Sequence, residues 1–259
     1  MAAPPTTDAP RVGATGRRAL LAAVVATVVL YVIPGAQIAA RPLLWIATLA
    51  HELGHAAATT AVGGDVDAVQ VFSDGSGVTT GTAPAGRLRT AIVSAGGLVG
   101  PAVLAALLFA LGGRSRHARV AAGVLGAALL LTLPFALRGV LAVAVGAAVS
   151  GVLLLAALRA PPALTQVLLV FLAVQLSLSV FSSGDYLFTD TAITATGPHP
   201  SDSAQIAGAL IGPYWLWGAL CGLVSVLVLC VGVVTFLHRA GRPQADDAAR
   251  RLHSRHDER

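Results

Sequence analysis

The stretch Leu49-Ala50-His51-Glu52-Leu53-Gly54-His55-Ala56-Ala57-Ala58 sets two histidines and a glutamate inside a run that is otherwise apolar. Ionisable groups are costly within a hydrophobic span and mark a functional site by default. The spacing is HExxH. At about 100° per residue, positions i and i+4 of a helix lie roughly 40° apart, so both imidazoles can grip one metal. Glu52 is one residue on from the first histidine, near enough to serve as general base on a metal-bound water. Zinc suits two imidazoles and a carboxylate with one position left open.

The surroundings of this stretch decide the fold. The 259-residue chain is 56% hydrophobic and 11% charged, with mean hydropathy +0.78. A soluble domain carries about 25% charged residues. Apolar runs long enough to cross a bilayer recur along the whole length, so the chain reads as an all-α polytopic membrane protein of about six to seven transmembrane helices. The expected organisation is a disordered N-terminal tail over residues 1–18, one membrane domain over 19–237 and a charged C-terminal tail over 238–259. The first run, Ala19 to Ile33, follows Arg17 and Arg18 and reads as an uncleaved helix rather than a signal peptide. Further spans are expected near 42–62, 88–111, 118–137, 139–158, 163–183 and 209–237.

Two segments break this pattern. Asp65 to Thr82 is polar, has Val69 and Val71 alternating with polar neighbours, and carries an Asp74-Gly75 turn signal, which predicts a short β-hairpin after the HELGH helix. Ser183 to Gln205 reads as a polar loop. Between them, Ser94 to Ala102 (SAGGLVGPA) is rich in small residues that suit close helix packing.

The net charge of +5 comes from arginine, since the chain has no lysine, and the basic residues sit at segment ends and in the tails. That is membrane-protein usage, and it excludes a nucleic-acid role. Arg11, Arg17 and Arg18 argue for a cytoplasmic N-terminus, while seven spans would set the arginine-rich C-terminal tail outside. Cys221 and Cys230 are nine positions apart in one span and fall on opposite faces of a helix, which argues against a disulfide or a thiolate metal site.

A zinc hydrolase needs a third protein ligand, and acidic residues are few. Nothing acidic lies between Asp74 and Asp185. Gln175, Ser179, Ser182 and Asp185 are spaced four, three and three positions apart, a polar helical stripe leading to a carboxylate. Asp185 is therefore the expected third ligand. Asp202, in His199-Pro200-Ser201-Asp202-Ser203-Ala204, is the main rival, with His199 and Asp190 behind it.

HELGH in an early span, a polar hairpin, a span with a Gly-Pro element and a late aspartate at a helix end resemble the site-2 protease family of intramembrane zinc metalloproteases. The compact bacterial branch without a PDZ domain is the nearest likeness, over about residues 42–210. The resemblance implies zinc on His51, His55 and a late aspartate, Asp185 here, with Glu52 as general base. It implies hydrolysis of transmembrane protein substrates in a lipid bilayer, by a multi-pass protein of the cell membrane, in bacteria the inner membrane. The family's late aspartate is commonly followed by glycine and preceded by Asn-Pro. Here Gly184 precedes and Tyr186 follows Asp185, and the chain contains no asparagine, so the one that commonly follows the Gly-Pro element is also missing after Gly100-Pro101. A non-catalytic relative that binds metal or a membrane partner is the alternative reading. A transporter is a third, and it lacks support because the chain shows no internal symmetry.

Overall fold

The computed structural model describes residues 14–33, 37–182 and 187–241. Most of residues 1–18 and 238–259, the two expected tails, lie outside the described residues, as does Asp185. The helices are α1 (Ala14–Val32), α2 (Gln37–Ala61), α3 (Arg87–Gly112), α4 (Ser115–Thr132), α5 (Val140–Leu158), α6 (Pro162–Ser182), α7 (Asp202–Ala209) and α8 (Tyr214–Ala240). Two antiparallel hairpins interrupt them: β1 (Asp65–Val71) with β2 (Gly77–Thr82), and β3 (Thr191–Thr194) with β4 (Gly197–Pro200).

The architecture is helical and membrane-spanning, as expected. Among the described residues, four helices (α3, α5, α6 and α8) are long and apolar enough to cross a bilayer. That is somewhat fewer than the six to seven expected and consistent with them. Helix α1 carries Arg17 and Arg18, α2 carries Arg41 and the HELGH motif, and α4 opens on Ser-Arg-His-Ala-Arg. Each of these polar insertions lowers the apolar content of a helix that still packs in the bundle.

Helix α3 is the hub, packing against α2, α6 and α8. Its small residues, together with those of α1 and α4, form the main core: Ala19, Ala23, Ala102, Ala105, Ala118 and Ala122 are all almost wholly enclosed, with Leu169, Val170 and Phe236 filling the space between. Without a hydrophobic gradient between helices in lipid, small residues let backbones approach closely, and packing supplies the attraction. The large side chains that face outward, such as Leu155, Leu158, Val231 and Val234, suit contact with lipid.

The first hairpin forms where the alternation places it. The chain leaves α2 through Gly63, at φ 83°, and turns between the strands at Gly75, at φ 91°, both left-handed conformations that glycine adopts without strain. Asp74 Oδ1 accepts from the Ser76 backbone N–H at 2.9 Å and from Ser76 Oγ at 2.7 Å. These bonds, the backbone one foremost, hold the exposed Asp74 carboxyl below the usual carboxylate range. Val69 and Val71 point inward and join Leu49, Ala56, Leu137 and Ala142 in a second core between α2, α5 and the hairpin. The outer edge of β1 is covered, because Val69 N donates to Ala136 O at 2.8 Å and Arg138 N donates to Val69 O at 3.0 Å.

The segment read as a polar loop carries regular structure in its described part. It forms the β3–β4 hairpin and then α7. Its strands are four residues long and have one well-buried side chain, Ala192, so they lack the apolar alternation by which a strand is recognised.

Candidate metal centre

His51, Glu52 and His55 lie on α2, and their ligand atoms fall within 4.8 Å of one another. The two histidines are one turn apart, with Nε2 atoms 3.1 Å from each other. Local packing against α3 fixes them. A Cβ on Gly54 would collide with the backbone carbonyl of Gly96, and one on Gly96 would sit 2.5 Å from Ala58 Cβ. The glycine inside HELGH therefore allows α2 and α3 to touch backbone to backbone. Gly97, next along α3, leaves the space the His55 ring occupies, since a Cβ there would overlap the imidazole.

The contact with α3 also selects the His55 tautomer. His55 Nδ1 lies 2.9 Å from the carbonyl of Val93, a group that can only accept, so Nδ1 carries the hydrogen and Nε2 presents a lone pair. A metal-ligating histidine is usually oriented by such a bond from its other ring nitrogen.

The third donor comes from the far side. Asp202 Oδ2 stands 3.1 Å from His51 Nε2 and 3.3 Å from His55 Nε2. Asp202 is the first residue of α7, and Ser201, immediately before it, caps that helix: its side chain accepts from the Ala204 N–H at 3.1 Å. Ser201 Oγ also donates to Thr189 O at 2.6 Å and lies 3.0 Å from Ser203 Oγ, while Ser201 N donates to Asp190 O at 2.9 Å. Ser201, Asp202 and Ser203 are all buried. Burial raises the Asp202 carboxyl pKa. When they are protonated, the facing imidazoles of His55 and His51 more than reverse this by charge and hydrogen bonding, holding it well below the usual carboxylate range.

The donor set fits zinc. Three ligand atoms on a tetrahedron with bonds of about 2.0–2.2 Å stand roughly 3.3–3.6 Å apart. The three donor separations here, 3.1, 3.1 and 3.3 Å, are close to that, and the ligand types are two imidazole nitrogens and a carboxylate.

Sequence reasoning placed His51, Glu52 and His55 together, and the structure brings them together. Asp185 lies outside the described residues. The carboxylate found against the histidines is Asp202, the rival in the sequence reading. In the stripe that led to Asp185, Gln175 Nε2 donates to Thr27 Oγ1 on α1 at 2.7 Å, while Ser179 lines a cavity beside His51. Asp190 is in the chain segment that binds Ser201, and His199 lies on β4 with its Nε2 3.0 Å from Thr196 Oγ1. The signal available for Asp202 was the serine cap: a serine followed by an aspartate at the start of a short helical run.

Glu52 is buried beside the histidines, and its Oε2 accepts a hydrogen bond from Thr79 Oγ1 at 2.7 Å. Two cavities, of about 360 and 650 Å³, open on either side of His51 and Glu52 and share Gly77, Ala192 and Thr194 as walls. The two hairpins thus flank the site, and their turns meet where Ala195 N donates to Ser76 Oγ at 3.1 Å.

A helix-borne HExxH facing a distant carboxylate inside a membrane bundle defines the class of centre, that of a membrane metallopeptidase. The model of the Peptidase M50B-like family matches residues 20–232, and the chain belongs to that family. Its members are zinc metalloproteases, which makes this chain a multi-pass membrane protein of metallopeptidase type. No curated protein and no solved structure matches the chain.

Proposed function

We propose that the protein is an intramembrane zinc peptidase that hydrolyses peptide bonds of membrane-protein substrates, acting in the cell membrane. His51, His55 and Asp202 hold the zinc and Glu52 is the general base. The observation that carries this reading is the compact triangle of His51 Nε2, His55 Nε2 and Asp202 Oδ2 with the Glu52 carboxylate beside it. Bound zinc supplies a Lewis acid that polarises a scissile carbonyl and acidifies adjacent water.

The chain's own residues do the rest. Glu52 takes a proton from the attacking water as the water oxygen bonds to the carbonyl carbon. It then delivers that proton to the amide nitrogen as the C–N bond breaks, so that the amine leaves neutral. A substrate helix hides its carbonyls in internal hydrogen bonds and must unwind before cleavage. The β2 edge favours the extended form. The β1 edge is taken by Ala136 to Arg138, whereas among the described residues no strand pairs with the other edge of β2. Val78, Thr79 and Thr80 of β2 line the larger cavity beside the histidines, where an added strand would lie.

The test is cleavage of single-span membrane proteins by the purified chain in proteoliposomes. Glu52→Gln keeps its zinc and loses cleavage by at least about 100-fold, the contribution of a positioned base. Cleavage at the wild-type rate by Glu52→Gln contradicts the mechanism.

A further inference from the structure

Glu52 is held from the hairpin rather than from its own helix. Thr79 Oγ1 lies 2.7 Å from Glu52 Oε2 and 3.0 Å from the Glu52 backbone carbonyl oxygen. A threonine hydroxyl has one hydrogen to donate, and the ionised carboxylate is the stronger acceptor, so the hydrogen goes to Oε2. Among the described residues Thr79 is the one donor to that carboxylate. The other oxygen faces a bare glycine of the same strand. A Cβ on Gly77 would sit 2.6 Å from Glu52 Oε1 and 2.6 Å from its Cγ. Strand β2 therefore constrains both carboxylate oxygens, one by a bond and one by the space it leaves.

We propose that Thr79 is the positioning residue of the general base: its hydroxyl pins Oε2, which leaves Oε1 as the oxygen that exchanges protons with water and amine. This rests on the peptidase reading above. The side chain of glutamate has three rotatable bonds, and fixing it in one geometry removes the freedom that otherwise has to be lost on the way to the transition state. Thr79 belongs to the strand whose outer edge no described strand pairs with, so a substrate laid along β2 and the base that serves it are held by the same element.

The chain offers a direct probe, because its two glutamates are Glu52 and Glu258. In a Glu258→Gln background, glutamate labelled with 13C at the side-chain carboxylate gives one infrared carboxylate band, that of Glu52. Full-length protein is loaded with zinc, and Thr79→Val, which keeps the shape and removes the donor, is compared with Thr79→Ser, which keeps the donor. The Glu52 band is expected to shift and broaden in Thr79→Val and to stay at the wild-type position in Thr79→Ser, with zinc content equal in all three. Cleavage of a reconstituted single-span protein is expected to fall about 10- to 100-fold in kcat for Thr79→Val, with little change in KM, and to be rescued by Thr79→Ser.

An unshifted band in Thr79→Val overturns the proposal, whether or not the protein cleaves. Loss of zinc in Thr79→Val, or equal loss of kcat in both variants, overturns it too, since either makes Thr79 structural. A chain in which the band responds as expected but neither wild type nor variant cleaves upholds the Thr79–Glu52 bond and defeats the peptidase reading instead.

Discussion

The two sides of the metal centre are built in different ways. His55 is seated by shape: α2 meets α3 through Gly54, Gly96 and Gly97, and His55 donates a hydrogen bond to the Val93 carbonyl. Asp202 is held by bonds: a short helix, a serine cap, and a hairpin with one buried side chain. Steric contacts between backbones have no compliant partner and fail abruptly. A network of neutral hydrogen bonds contributes about 1 kcal/mol per bond and loses its members one at a time. The histidine side should therefore be the more brittle of the two.

Gly54→Leu is the strongest way to break that contrast. With the Gly96 carbonyl in the way, α2 and α3 must separate, at a cost above the roughly 1–3 kcal/mol of ordinary overpacking. The expected result is loss of folded, detergent-stable protein by size-exclusion chromatography. Monodisperse Gly54→Leu with a full zinc complement would remove the close contact from the account. Gly97→Ala is milder and more local. It displaces the His55 ring without parting the helices, so the protein should fold and bind zinc at least about 10-fold more weakly, measured by competition with a chelator.

On the other side, Ser201→Ala removes a cap and a buried bond to Thr189. It should lower thermal stability by the equivalent of about 1 kcal/mol and weaken zinc retention without abolishing it. If Ser201→Ala is as damaging as Gly54→Leu, the two sides do not differ as described. Ile193→Ser should have the smallest effect. Ile193 is 78% exposed on β3, so its substitution should change stability by less than about 0.5 kcal/mol and leave zinc content intact. The residue lines the smaller cavity, and any change it causes should appear in substrate KM alone.

The same contrast explains what could be read from the sequence. The histidine side is local. HExxH states its own geometry, the run of small residues in α3 announces close packing, and the Val alternation with Asp74-Gly75 gives the first hairpin. The aspartate side is not local. Thr191 to Pro200 is short and rich in threonine and proline, and its fold depends on Ser201 and Ser203 reaching back to Thr189. No periodicity reports such contacts, so a stripe on α6 that did have a helical period drew attention to Asp185. The spans were legible as apolar runs, although α2 is diluted by Arg41 and the motif itself and α4 by its Ser-Arg-His-Ala-Arg start.

The central claim is that one zinc ion sits between α2 and α7, and the measurement that tests it most directly is the zinc content of purified full-length protein across four chains. Wild type and Asp185→Ala should each carry one zinc per chain, while His51→Ala and Asp202→Ala should carry close to none after dialysis against a weak chelator. Full zinc in Asp202→Ala together with loss in Asp185→Ala would contradict the account and move the third ligand to Asp185.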